Sequence, residues 1–190
     1  MAGSVSVIGI GASTGGIYAV PKVLTRFSAM SPPVVLVVHL RPGMSRIYAD
    51  QLDDELNISV SEAETGTVLE RGHMYIAPAE KHMKLITRGG RLVVERFAGP
   101  RIHQVIPAVD VLFESIAKEV KKDAVGVLLT GIGEDGARGL LAMRNAGAQT
   151  IGQDEKTSVV YGMPKVAMNI GAVMHQLPID AIGNKIISLI

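Results

Sequence analysis

The chain has 190 residues, a formal net charge of +1 and no cysteine. This length supports one domain whose core needs neither a metal nor a disulfide, and the lack of cysteine excludes thiol chemistry. The small net charge excludes a strong field that would draw the protein to nucleic acid or to a membrane surface. No apolar run reaches membrane-spanning length and no basic stretch precedes the first strand. We therefore expect one cytoplasmic domain over residues 1–190, without membrane insertion.

The first element is a buried strand that runs into a glycine-rich turn. Residues 5–10 are mainly apolar and β-branched, which predicts a strand covered on both faces. Apolar residues at helical spacing follow the turn, at Ile17, Val20, Leu24 and Phe27. Ser13 therefore lies on a tight strand-to-helix turn, and residues 11–15 fit the G-x-S-x-G pattern of a nucleophile elbow.

A second buried strand is predicted at residues 33–39 and ends in His39. A helix follows, and its predicted apolar face consists of Met44, Tyr48, Leu52 and Leu56, with a short strand next at residues 58–60. Residues 65–95 contain short extended runs, and Gly89-Gly90 between two of them is typical of a β-hairpin. We expect this antiparallel piece at one edge of the sheet.

The second half of the chain continues the alternation of strands and helices. After a loop at residues 97–106, Pro107 is expected at the first position of a helix with a buried side of Val109, Leu112, Phe113, Ile116 and Val120. Residues 124–129 predict a third buried strand, and a second glycine-rich turn follows at residues 130–136. The remaining predictions are a helix with Ala137, Leu140 and Leu141 inward, a strand at 150–152, a helix at 163–170, an apolar segment at 172–174 and a helix from about Ile179. The fold class is therefore α/β, with a doubly wound, mainly parallel sheet and an inserted antiparallel hairpin.

Three residues with complementary chemistry follow three of the buried strands. Ser13, His39 and Asp135 each lie where a strand ends, and the carboxyl ends of parallel strands share one edge of a sheet. A serine nucleophile needs an imidazole to take its proton, and the imidazole needs a carboxylate to hold its tautomer. The pattern predicts a catalytic triad of these three residues.

Each of these residues also has an ordinary structural interpretation. Ser13 or Thr14 could cap the first helix, and Asp135 could cap the helix after it. His39 could be a buried, hydrogen-bonded histidine at a strand end. The first turn also approaches the dinucleotide fingerprint, but Thr14 replaces its third small residue and His39 stands where an acidic residue should hold a ribose.

Metal and cofactor sites are not predicted. The other histidines lack close ligand spacing, and no His-Glu-x-x-His occurs, so we predict neither a metal site nor a cofactor. His82 and His103 are expected to line the rim around the predicted triad.

Several motifs occur in collinear order over nearly the whole chain. They are Gly11-Ala12-Ser13-Thr14-Gly15-Gly16, Val38-His39, Tyr75-Ile76-Ala77-Pro78, His82-Met83, Val109-Asp110-Val111-Leu112-Phe113, residues 129–136 and Gly162-Met163-Pro164. Together these motifs resemble the catalytic domain of the CheB-type chemoreceptor glutamate methylesterases. The resemblance implies a Rossmann-like fold, hydrolysis of glutamyl methyl esters on the cytoplasmic region of methyl-accepting chemoreceptors, and deamidation of receptor glutamines. It implies Ser13 as nucleophile, His39 as general base and Asp135 as its orienting group. It also implies an oxyanion and substrate-binding site formed by Thr14, Ile132 and Gly133.

The sequence departs from that family in three places. Family members commonly carry an amino-terminal receiver domain, whereas this sequence begins at the catalytic domain, as a stand-alone esterase or as a fragment. A response-regulator domain acting in trans is the partner that the first case suggests. The turn after the third strand has Ile132 and Glu134 where Met and Asn are usual, and the loop at 101–107 lacks arginines in its second half. That loop motivates the alternative function, a non-catalytic domain that binds chemoreceptor helices or a signalling partner.

Overall fold

The structure of the protein is a computed structural model that describes residues 5–190. The first residues of the predicted domain, 1–4, lie outside the described part. Within the described residues, seven parallel strands form one sheet. They are β1 (Val7–Ala12), β2 (Val34–Val38), β3 (Ser59–Glu62), β4 (His73–Ile76), β7 (Ala124–Leu128), β8 (Gln149–Gln153) and β9 (His175–Leu177). Their order across the sheet is β3-β4-β2-β1-β7-β8-β9. The predicted α/β class with a mainly parallel sheet is confirmed.

Helices cover both faces of this sheet. They are α1 (Gly16–Leu24), α2 (Met44–Glu55), α3 (Val109–Glu119), α4 (Ala137–Asn145), α5 (Met163–Asn169) and α6 (Ile179–Ile187), with a short 3-10 turn at Lys121–Asp123. Helices α1, α2 and α6 contribute to the core on one face, and α3, α4 and α5 to the core on the other. Every residue of β1, β2 and β7 is buried, as their continuous apolar runs predict.

The hairpin consists of β5 (His82–Arg88) and β6 (Arg91–Phe97), joined at Gly89-Gly90. Both glycines have positive φ, which a tight hairpin turn requires. The expected position at a sheet edge is wrong, because the hairpin forms a two-stranded sheet of its own. Met83, Leu85 and Val94 share a core with α3, and the N–H of Leu85 donates to the hydroxyl of Ser115 over 2.9 Å. The apolar side of the hairpin is therefore buried against α3.

Some predicted details differ from the structure. Helix α3 begins at Val109, two residues after Pro107, because its first amides are bound by a side chain from another turn. Met44 is exposed, since α2 buries Ser45, Tyr48, Ala49 and Leu52 instead. Strand β9, for which no strand was predicted, follows the apolar segment at 172–174.

The strand order places the site. From β1 the chain proceeds to β2 on one side, and it returns to β7 on the other side of β1. The carboxyl ends of these three central strands therefore lie side by side at the point where the winding reverses, which is where ligands bind in open α/β sheets. Among residues 5–190, no helix has both the length and the apolar character needed to cross a bilayer.

Candidate active site

Ser13 lies in the turn between β1 and α1, and its side chain does not cap the helix. The N-cap of α1 is Gly15, at φ 83°, and no side chain bonds to the first amides of that helix. The capping interpretation of Ser13 and Thr14 is therefore wrong. Backbone bonds hold the turn: the N–H of Ser13 donates to the carbonyl of Thr130 over 3.0 Å, and the N–H of Gly16 donates to the carbonyl of Ser13 over 2.7 Å.

His39 follows β2 directly beside the end of β1. Its backbone N–H donates to the carbonyl of Ala12, the residue before Ser13, over 3.2 Å. Its Nε2 lies 2.8 Å from Oδ2 of Asp135, a residue 96 positions away in sequence. A carboxylate only accepts, so Nε2 carries the hydrogen and Nδ1 of a neutral ring has a free lone pair. Within residues 5–190, Nδ1 of His39 has no hydrogen-bond partner, and no bond joins this ring to the Ser13 hydroxyl.

Asp135 is almost completely buried, with 2% of its side chain exposed, and receives three hydrogen bonds. Besides His39, the backbone N–H of Val109 donates to its Oδ2 over 2.7 Å and that of Asp110 to its Oδ1 over 3.0 Å. These are the first amides of α3, so Asp135 caps α3. The expectation that it caps the helix after it is wrong, because Gly136 is the N-cap of α4. Backbone donors compensate for burying the carboxylate and fix its orientation toward His39.

The second glycine-rich turn, after β7, lies against Ser13. The hydroxyl of Thr130 donates to the carbonyl of Thr14 over 2.9 Å, which joins the two turns. A Cβ on Gly131 would lie 2.7 Å from Cβ of Ser13, so only glycine allows this approach. Ile132 and Gly133 are exposed, and within residues 5–190 their backbone N–H groups have no acceptor.

A segment between β8 and α5 supports this turn through backbone hydrogen bonds. The N–H of Gly131 donates to the carbonyl of Val160 over 3.0 Å. The N–H groups of Gly162 and Met163 both donate to the carbonyl of Gly131, over 3.1 and 2.9 Å. In the sequence, this segment stands out only through the family resemblance at Gly162-Met163-Pro164. Its supporting role leaves no local pattern, because its contacts are with a turn about 30 residues earlier.

Asp110 and His103 form a polar pair behind Asp135 that sequence reasoning did not identify. Asp110 is fully buried, and its Oδ2 lies 2.7 Å from Nε2 of His103. Partial burial tends to lower the pKa of His103, but its hydrogen bond to Asp110 and the charges of Asp110, Asp135 and Glu134 raise that pKa above its usual value. The sequence signal for this pair was a single aspartate, Asp110, among the apolar residues at the start of the predicted helix.

His82 does not lie at the rim. It is buried, with Nε2 2.8 Å from the carbonyl of Pro100, and its Nδ1 accepts the N–H of Ala108 over 3.1 Å. This side chain therefore holds the loop that leads into α3.

The polar groups of the site are already paired with one another. Ligand atoms of His103, Asp110 and Asp135 lie within 4.8 Å of each other, close enough to consider a metal ion. Both carboxylates, however, accept hydrogen bonds on both oxygens from backbone N–H groups and histidines. The cluster is thus accounted for as a hydrogen-bonded network.

The glycines of the first strand do not leave room for a dinucleotide. A Cβ on Gly9 would lie 2.5 Å from the side chain of Ile116, and one on Gly11 would collide with Val109. Both glycines therefore allow α3 to pack closely against β1.

Fold and contacts together define a doubly wound α/β protein with a histidine–aspartate pair beside a serine at a strand-to-helix turn. The family model described as CheB methylesterase matches residues 8–186. A protein-glutamate methylesterase/protein-glutamine glutaminase 2 of Syntrophomonas wolfei is 48% identical over 184 residues, which cover 97% of this chain and 54% of that protein. One of Salmonella typhi, named protein-glutamate methylesterase/protein-glutamine glutaminase, is 44% identical over 187 residues, 98% of this chain and 54% of that protein.

A solved structure agrees with these relatives. The crystal structure of the Thermotoga maritima CheB methylesterase catalytic domain matches with a TM-score of 0.95 at 33% identity, covering 98% of this chain and 100% of that chain. The chain belongs to the CheB methylesterase family. It spans about half the length of the curated relatives it matches.

Proposed function

We propose that this protein is a serine hydrolase that removes methyl groups from glutamyl methyl esters of chemoreceptors and deamidates receptor glutamines. The names of its relatives and the family membership support this activity. The observation that carries the proposal is the 2.8 Å contact between His39 and Asp135 beside the turn that holds Ser13. The proposed partner is the cytoplasmic region of methyl-accepting chemoreceptors, and the proposed compartment is therefore the cytoplasm.

In the proposed reaction, Ser13 is the nucleophile and His39 the general base. Nδ1 of His39 takes the hydroxyl proton, because Nε2 is held by Asp135. The serine oxygen bonds to the ester carbonyl carbon, and the tetrahedral intermediate then expels methoxide, which leaves as methanol with the proton from His39. Water attacks the resulting serine ester, again with His39 as base, and releases the glutamate carboxylate and free Ser13. A glutamine substrate follows the same steps and releases ammonia.

Backbone amides of the two glycine-rich turns are the proposed oxyanion donors. The N–H groups of Ile132 and Gly133 are available, as the second turn bonds through Gly131 instead. Thr14 is joined to the start of the same turn, since its carbonyl accepts the hydroxyl of Thr130. Each donor aimed at the developing oxyanion contributes roughly 3–4 kcal/mol to the stabilisation of the transition state.

The exposure of this edge suits a side chain presented on a protein surface. Thr14 and Gly133 are exposed, and Ile132 exposes 64% of its surface. A glutamyl ester on a receptor helix can therefore approach without a deep pocket, and Ile132 offers an apolar contact at the rim.

The deciding experiment is release of methanol from a methylated receptor fragment by wild type and by Ser13→Ala. We expect the substitution to lower the rate by more than about a thousandfold while the far-UV circular dichroism stays unchanged. Ser188→Ala is the matched control, since Ser188 is exposed and its hydroxyl bonds only to the nearby carbonyl of Lys185. Full activity in Ser13→Ala would refute the assignment of Ser13 as the nucleophile.

An organophosphonate probe separates an enzyme from a binding domain. Labelling of wild type at Ser13, and its loss in Ser13→Ala, supports a hydrolase. A well-folded wild type that neither reacts with the probe nor releases methanol would favour the non-catalytic alternative.

A further inference from the structure

A second histidine–aspartate pair lies directly behind the first. Oδ2 of Asp110 lies 2.7 Å from Nε2 of His103, and the N–H of the same Asp110 donates to Oδ1 of Asp135 over 3.0 Å. Asp135 in turn contacts His39. Two imidazoles are thus connected through two buried carboxylates and one backbone amide.

The surroundings of His103 favour the doubly protonated form of its ring. Nε2 faces Asp110, and Nδ1 lies 3.2 Å from Oε1 of Glu134. Ionised carboxylates have no hydrogen to donate, so both contacts are favourable only when each nitrogen carries one. The raised pKa of His103 agrees with this geometry.

Local backbone geometry brings His103 to Asp110. His103 and Gln104 adopt φ of 51° and 64°, a conformation that non-glycine residues seldom adopt. Backbone hydrogen bonds of 3.0 Å in both directions between Ile102 and Val105 close the turn around them. The turn thereby presents the ring to the start of α3.

Charged side chains from α3, from α4 and from the turn before α4 surround His103 and Asp110. Asp110 and Glu114 face it from α3, and Glu134, Asp135 and Arg138 face it from the turn before α4 and from α4 itself. Arg138 is 3.9 Å from Oδ2 of Asp110 but pairs more closely with Glu114, at 3.1 Å, in a largely exposed position. Arg101 lies in the same loop as His103 and donates to the carbonyl of Gln104. His103 is therefore the cation in direct hydrogen-bond contact with Asp110.

We propose that protonated His103 is a positioning residue that balances the charge of Asp110, so that His39 responds to the single negative charge of Asp135. This inference rests on the proposed function, in which His39 is the general base. Without the cation, two buried carboxylates within 4.8 Å of each other both act on His39. Their added negative field favours the protonated form of His39, and protonated His39 cannot accept the proton of Ser13.

The test is the titration of His39 in wild type and in His103→Asn. Asparagine tolerates the left-handed backbone at this position, so the substitution changes the charge without adding strain. NMR titration of the five histidine rings should show His39 titrating at higher pH in the variant than in wild type, since the lost positive charge lies nearby in a partly desolvated site. His103→Lys restores a cation and should return the value toward that of wild type.

His175→Asn is the matched control. His175 is half-buried and bonds to Gln149 in β8, away from Asp110 and Asp135, so its loss should leave the titration of His39 unchanged. An unchanged or lowered pKa of His39 in His103→Asn overturns the proposal. A rise of similar size in His175→Asn also overturns it.

The pH profile of kcat/KM supplies the second readout. The acid limb should move to higher pH in His103→Asn by the same amount as the NMR value, whereas a merely structural role would lower the rate without moving the limb. The NMR titration does not require turnover. If the wild-type protein shows no Ser13-dependent reaction, the proposed function is rejected. The NMR titration still tests the coupling between His103 and His39 in that case.

Discussion

Asp110 and Asp135 cap each other's helices. The N–H of Asp110, near the start of α3, donates to Oδ1 of Asp135 over 3.0 Å. The carboxylate of Asp110 accepts the N–H of Gly139, in the first turn of α4, over 2.7 Å. Because α4 begins two residues after Asp135, the two bonds hold the helix starts together. The carboxylate that contacts His39 is therefore also part of the scaffold.

This double role predicts that Asp135→Ala lowers stability as well as activity. The variant leaves two amides of α3 without their acceptor, and we expect a loss of about 2–4 kcal/mol in the free energy of unfolding. Urea denaturation checks this value. Asp135→Asn retains one oxygen acceptor and should lose less stability, yet methanol release should still fall sharply because the imidazole loses its orienting charge.

Asp50→Asn provides the control for these stability measurements. Asp50 is exposed and pairs with Arg46 across one turn of α2, so its loss should change stability by less than about 0.5 kcal/mol. Equal stability of wild type and Asp135→Ala would contradict the capping role.

The raised pKa of His103 predicts how its contribution to stability depends on pH. A histidine with a folded-state pKa above the ordinary value of 6.5 stabilises the fold fully below pH 6.5. The contribution is lost as the pH rises through the folded-state pKa. The stability difference between wild type and His103→Asn should therefore be largest in mild acid and shrink toward alkaline pH, as measured by urea denaturation across the pH range.

His73 should show the opposite trend. Burial lowers its pKa, although Asp53 and Glu70 oppose that effect. Its neutral ring favours the folded state above pH 6.5, and this contribution decreases as the pH falls below that value. Parallel pH trends for His73→Asn and His103→Asn would argue against the charge assignments.

Gly131→Ala tests the close approach of the two glycine-rich turns. The new methyl group would collide with Sδ of Met163 and would lie 2.7 Å from Cβ of Ser13, so the turn that holds Ser13 and the Met163 side chain must move apart. We expect kcat to fall about tenfold or more, with a loss of about 1–3 kcal/mol in stability. Gly89→Ala, in the hairpin turn, is the control: its φ of 58° makes alanine strained by about 1–2 kcal/mol, but nothing surrounds the added carbon. If the control loses a comparable amount of stability but keeps normal activity, the loss of activity in Gly131→Ala comes from the local displacement around Ser13 and Met163.

Two substitutions at Ile132 distinguish the contribution of its backbone N–H to catalysis from that of its side chain. Ile132→Met keeps the N–H and an apolar contact, so methanol release should stay within about twofold, and stability should hardly change because the side chain is exposed. Ile132→Pro removes the N–H and should lower kcat by about a hundredfold or more. An active proline variant with a wild-type fold would exclude this amide as an oxyanion donor.

The sequence by itself determined the elements whose neighbours along the chain set their structure. Continuous apolar runs predict the buried strands β1, β2 and β7, and Gly89-Gly90 predicts the hairpin, because burial and turn geometry leave local patterns. The positions of Ser13, His39 and Asp135 after three strands also follow from the sequence. Their common edge follows from the rule that parallel strands end on the same side.

Only the tertiary structure decided which groups meet at that edge. It assigned Asp135 to the start of α3 instead of α4, paired Asp110 with His103, and placed the hairpin on α3 instead of at a sheet edge. These choices depend on how elements distant in sequence share burial and hydrogen bonds. Asp135 and His39 are 96 residues apart, and no local periodicity records a contact of that range.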